Sequence, residues 1–152
     1  MSARVGVLAL QGDFCAHAAA LARLGAEAPE VRRVAQLEGL GGLVIPGGES
    51  TTLLNLMRDE PWLSALRAFH ARGGALFGTC AGAILLAREV LHPRQESLGL
   101  LDVTVERNAF GRQVDSFETR LCAPAVGGEL AAVFIRAPRL RALGAGVEVL
   151  AR

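Results

Sequence analysis

The chain has 152 residues, enough for one domain with a sizeable core, and at 51% hydrophobic with 18 glycines it fits a compact α/β protein rather than a disordered one. Its net charge is +1 with no basic run, which speaks against nucleic acid or an anionic membrane as partner, and no apolar run approaches the roughly 18–20 residues that span a bilayer. All 16 basic residues are arginine, so this chain has no lysine amine for a Schiff base and no lysine for a Walker-type phosphate loop.

Val5 to Leu10 is a continuous apolar run with β-branched residues, which predicts a strand buried on both faces. After the turn at Gln11-Gly12-Asp13, residues Phe14, Ala18, Leu21 and Leu24 recur at helical spacing until Gly25 stops them. Glu30 to Val34 reads as a second, more exposed strand, and Leu43-Val44-Ile45 as a third, buried one ended by Pro46-Gly47-Gly48. Ser50 is placed to cap a helix carrying Leu53, Leu54 and Met57. Pro61 suits a first helical position, and Trp62, Leu66 and Phe69 form an apolar stripe that ends at Gly73-Gly74. Ala75 to Phe77 is the fourth strand. The βαβα order holds to about residue 90; beyond it, Leu101 to Glu106, Ser116 to Leu121, Ala131 to Arg136 and Val147 to Leu150 read as strands without helices between them. The pattern predicts a single α/β domain, an open, mostly parallel sheet with helices on both faces and a β-rich C-terminal portion.

Gly78-Thr79-Cys80-Ala81-Gly82 joins the fourth strand to another apolar run. Small residues on either side allow a sharp turn that lifts one side chain above the sheet, and the free N–H groups of a following helix lower a thiol pKa and attract developing negative charge. Cys80 then reads as a nucleophile, the other reading being a buried structural thiol. Pro46-Gly47-Gly48-Glu49-Ser50 lies at another strand's carboxyl end; alone it is a plain turn, but beside a cysteine elbow the N–H groups of Gly48 and Ala81 would form a two-donor oxyanion hole. The constellation suits acyl transfer. Its missing part is a base. His70 and His92 read as solvated surface residues; His17 follows the first strand and could face the site, yet it too reads as structural. Arg107 and Arg136 stand near the ends of late strands, either as surface arginines or as clamps for a substrate carboxylate. Cys15, Cys80 and Cys122 are odd in number and widely spaced, neither a disulfide framework nor a metal set; with no signal-peptide layout at the N-terminus, a reducing cytoplasm is the expected setting.

Taken together, Val7 to Asp13, Leu43 to Thr52 with its PGGEST, Phe77 to Gly82, and Leu98 to Phe117 (LGLLDVTVERNAFGRQVDSF) resemble the glutaminase subunit of the pyridoxal 5′-phosphate synthase complex, within the class I, triad-type glutamine amidotransferases. The resemblance covers essentially the whole chain. It implies hydrolysis of L-glutamine to glutamate and ammonia, passed to a separate synthase subunit in a large hetero-oligomer. No cofactor or metal is expected in this chain. The resemblance implies Cys80 as nucleophile, Gly47, Gly48 and Glu49 in contact with glutamine, and Arg107, Ile135 and Arg136 lining the same site. An arginine on the substrate carboxylate and Glu49 near its ammonium is the physical expectation.

One departure stands out. The family's triad ends in a His-Pro-Glu element near the C-terminus; His92-Pro93 is followed by Arg94, and no such element follows Leu150. Relative to the family, the sequence reads as C-terminally incomplete, which predicts little or no turnover from these residues alone. Two other readings remain open: a catalytically dead module that docks on the synthase, and another cysteine-elbow hydrolase of similar fold.

Overall fold

The computed structural model describes residues 2–109 and 116–151. Positions 110–115 of the LGLLDVTVERNAFGRQVDSF motif lie outside the described residues. Four parallel strands form the main sheet: β1 (Val5–Leu8), β2 (Glu30–Val31), β3 (Gly42–Ile45) and β4 (Ala75–Gly78), in the order β2-β1-β3-β4. The register places Gly6 opposite Leu43 and Leu43 opposite Leu76. Between them run α1 (Phe14–Arg23), α2 (Ser50–Leu56) and α3 (Trp62–Ala71), and α4 (Ala81–Leu86) follows β4.

Strand alternation decides how the core forms. Leu8, Leu43 and Ile45 face one way and pack with Leu53, Met57, Trp62, Leu66, Phe69, Leu85 and Leu86 from the helices, all nearly inaccessible to water. The opposite face carries Val7 and Val44, both buried, whereas Phe77, on the outermost strand, is 60% exposed. Phe69 fits only because Gly74 has no side chain: a Cβ there would lie 2.3 Å from its ring.

The β-rich portion divides into two small sheets. Strand β5 (Ala87–Leu91) runs parallel to β6 (Leu101–Glu106), which pairs antiparallel with β9 (Arg139–Arg141). Strands β7 (Phe117–Ala123) and β8 (Gly128–Phe134) form a hairpin closed by the stacked rings of Phe117 and Phe134. A second core of Ile84, Ala87, Val90, Val103 and Val105 lies under β5 and β6.

Four local expectations change. The second strand covers only Glu30–Val31, with Val31 buried rather than exposed, and Val34 opens a short 3-10 turn instead of ending the strand. The N-cap of α2 is Glu49, whose carboxylate accepts from the N–H groups of Thr51 and Thr52; Ser50 is the first helical residue, buried and donating to Gln95 Oε1 at 2.7 Å. Pro61 is the N-cap of α3 rather than its first residue. Val147 to Leu150 forms no strand; the antiparallel partner of β6 is Arg139–Arg141, and Val147 packs on the second core. Among the described residues no helix is long and apolar enough to cross a membrane.

Candidate active site

Cys80 sits between β4 and α4 with φ +46, a value that costs a non-glycine residue about 1–3 kcal/mol and persists only where its surroundings enforce it. The enforcement is visible on both sides. A Cβ on Gly78 would lie 2.4 Å from the Gly82 carbonyl carbon, and one on Gly82 would lie 2.0 Å from the Ile45 oxygen. Only glycines allow α4 to leave the strand so abruptly and press against β3. The thiol turns toward the Pro46–Ser50 loop, 3.9 Å from the Gly48 carbonyl oxygen, and a Cβ on Gly47 would stand 3.1 Å from the Cys80 Cβ. Cys80 is partly buried, whereas Cys15 and Cys122 are exposed. Ala81 opens α4, fully buried. Among the described residues, neither its N–H nor that of Gly48 donates to a backbone carbonyl.

The loop is held from below by Gln11, whose place in the turn after β1 carries no local mark of that role. Gln11 donates from Nε2 to the Gly47 carbonyl and accepts at Oε1 from the Glu49 N–H, both at 3.3 Å. It lies against Gly48, where φ is +141 and a Cβ would stand 2.0 Å from Gln11 Oε1. The signal was present as a glutamine at the carboxyl end of the first strand, in line with the Gly47-Gly48 loop on the neighbouring one.

Glu49 serves two elements at once. Its oxygens accept from the Thr51 and Thr52 N–H groups and hydroxyls, and Oε1 also accepts from Arg107 Nη2 at 3.0 Å. The Thr51 hydroxyl bond is the largest cause that lowers its pKa from 4.5 to about 2; partial burial opposes the shift, and the backbone bonds from Thr52 and Thr51 reinforce it. Arg107, just beyond β6, has a side chain only 10% exposed, and its Nη1 is buried with no hydrogen-bond partner. A buried guanidinium with an unused donor is poised for an anion.

Cys80, Gly48, Glu49, Arg107, Ile135 and Arg136 line one cleft of about 650 Å³, a volume suited to a small metabolite. Residues more than eighty positions apart in sequence thus converge there. Gly47 and Ala81 flank the thiol in the backbone beneath it. Arg136 has φ +44, and its side chain is exposed at the rim. The histidines do not meet the thiol: His17 Nε2 lies 3.2 Å from Thr79 Oγ1, His70 Nδ1 lies 3.2 Å from the Gly74 carbonyl oxygen, and His92 is exposed.

A crystal structure described as a glutamine amidotransferase superimposes on this parallel α/β fold with a TM-score of 0.89 at 57% identity, covering 97% of this chain and 79% of that one, and places the fold in the glutamine amidotransferase class. The chain belongs to the SNO glutamine amidotransferase family, whose model matches residues 7–152. Curated relatives include the pyridoxal 5′-phosphate synthase subunit PdxT of Thermus thermophilus, 61% identical over 150 residues, with 97% of this chain and 78% of the relative covered. The protein of the same name from Deinococcus radiodurans is 55% identical over 152 residues, with 97% and 78% covered.

Proposed function

We propose that this chain is the glutaminase subunit of a pyridoxal 5′-phosphate synthase, hydrolysing L-glutamine to glutamate and ammonia and passing the ammonia to a synthase partner in a multi-subunit complex. The observation that carries the reading is the single cleft in which the Cys80 thiol, the Gly47-Gly48 loop and the buried Arg107 guanidinium meet. The family and the names of its relatives supply the reaction class.

In this reading the Cys80 thiolate attacks the carboxamide carbon of glutamine. The oxygen takes up the charge and rests on the N–H groups of Gly48 and Ala81. The C–N bond breaks as the amide nitrogen takes up the proton the thiol gave up, ammonia leaves, and water then cleaves the thioester, its hydroxyl going to the glutamate carboxyl and its proton to the sulfur. Arg107 holds the substrate α-carboxylate with its unused Nη1, Glu49 keeps that guanidinium in place and lends negative charge beside the ammonium, and Ile135 and Arg136 close the rim. The thiol has no histidine partner among the described residues, so a polypeptide of these 152 residues should be acylated or alkylated without turning over at an appreciable rate.

A glutamine-analogue electrophile tests the reading. It should label Cys80, excess glutamine should protect, and Cys80→Ala should abolish the labelling. Labelling that survives in Cys80→Ala, on Cys15 or Cys122, would overturn the assignment.

A further inference from the structure

The site has two halves, the Gly47–Glu49 loop after β3 and the Thr79-Cys80 elbow after β4, and one short segment after β1 reaches both. Gln11 holds the loop through Gly47 and Glu49. Six residues later, His17 on the first turns of α1 holds the elbow through the Thr79 hydroxyl, 3.2 Å from its Nε2. We propose that His17 is a positioning residue for the nucleophile, a role that rests on the glutaminase reading of the cleft.

Thr79 immediately precedes the residue held at φ +46. Its N–H donates to the Ile45 carbonyl at 3.1 Å and its carbonyl accepts from the Gly82 N–H at 2.9 Å, so the main chain is pinned to β3 and α4. These bonds set where the elbow lies but leave the side chain of Thr79 free to choose a rotamer. The His17 bond sets that choice, and with it the hydroxyl stays against the loop: a Cβ on Gly47 would lie 3.7 Å from Thr79 Oγ1. His17 is itself well anchored, because Asp13 caps α1 through Ala16 N–H at 3.0 Å and the imidazole is partly buried. The two halves are therefore both tied to the segment that follows β1, the loop through Gln11 just before α1 and the elbow through His17 within it, which couples the position of the sulfur to that of the loop. Of the three histidines this is the one bonded to the elbow; His70 and His92 are occupied or exposed elsewhere.

The test compares two rates of Cys80 alkylation. A glutamine-analogue electrophile requires sulfur and loop in register, whereas iodoacetamide requires only an accessible thiol. His17→Leu and Thr79→Val should each slow the analogue about tenfold, the size of one lost hydrogen bond at a site that must be aligned. The double variant should be no slower than either single one, since both remove the same bond. Iodoacetamide labelling should stay close to wild type in all three. His17→Gln, whose amide can reach the same position as Nε2, should restore most of the analogue rate. Should His17→Leu fail to fold, Thr79→Val carries the same prediction. Folded variants labelled by the analogue at the wild-type rate, or slowed equally toward both reagents, would overturn the inference. A wild-type chain whose Cys80 ignores the analogue would instead sink the glutaminase reading, and this role with it.

Discussion

Arg107 Nη2 lies 3.0 Å from Glu49 Oε1, a contact that ties the end of β6 to the N-terminus of α2 across 58 residues. It joins the loop that follows β3 of the main sheet to the end of β6 in the β5-β6-β9 sheet. The guanidinium is nearly buried, so its charge must be met inside the protein, and a carboxylate already gripped by Thr51 and Thr52 meets it without moving. One nitrogen of the fork, Nη1, is buried and has no hydrogen-bond partner.

Removing that donor should weaken ligand capture. Arg107→Met is expected to reduce glutamine protection of Cys80 about 10–100-fold, the scale of a lost charge-assisted pair. Arg107→Lys should recover little of it, because an ammonium cannot hold Glu49 and a substrate carboxylate with one planar fork. The check is the glutamine concentration that halves the rate of Cys80 alkylation.

Acid should loosen the α2 end of the cleft. The Glu49 pKa is lower folded, at about 2, than the ordinary 4.5, so its contribution to stability is complete above that ordinary value and is lost as pH falls toward about 2. Glu49→Gln keeps the shape without the charge. The melting-temperature gap between wild type and Glu49→Gln should therefore be widest near neutrality and shrink between about pH 4.5 and pH 3. A gap constant over that window would show that the Thr51 and Thr52 bonds do not favour the carboxylate. Because the side chain is 41% exposed, solvent screening keeps the effect modest.

Gly82→Ala should destabilise by about 1–3 kcal/mol or more, since the new methyl meets the Ile45 carbonyl at 2.0 Å and backbone cannot step aside cheaply. Gly48→Ala meets instead the end of the Gln11 side chain, which can move, although φ +141 still strains the substitution. It should fold and yet label poorly with a glutamine analogue. Circular dichroism melts paired with labelling rates separate the two outcomes.

Phe69→Ala removes a ring that α3 buries completely in the main core and is expected to cost about 3–5 kcal/mol. In a domain of this size that corresponds to a melting temperature lower by roughly 10 °C. Cys122→Ser, at an exposed position, should leave both melting and Cys80 labelling unchanged.

Continuous apolar runs and glycine punctuation made β1, β3, β4, α3 and the elbow legible in sequence, because each is dictated by neighbours within a few residues. Strand β5 was not legible: Ala83 to Leu86 passes into Ala87 without a glycine or proline, and nothing local separates the last turn of α4 from the strand that follows. Strand β9 escaped for the opposite reason. Arg139–Arg141 is short, charged and exposed, and it becomes a strand only by pairing with β6. Ser50 was read as the cap of α2 from residue preference alone; Glu49 displaces it because its longer side chain reaches the Thr51 and Thr52 amides while Ser50 finds Gln95.

By itself the sequence determined the βαβα succession and a cysteine lifted between glycines, both consequences of local sterics and spacing, and its motifs carried the resemblance to the family. Only the tertiary structure decided what surrounds that sulfur. Gln11 under the loop, His17 on Thr79 and Arg107 on Glu49 are contacts between residues 36 to 62 positions apart, and contacts at such separation follow from how the strands align, not from any pattern along the chain.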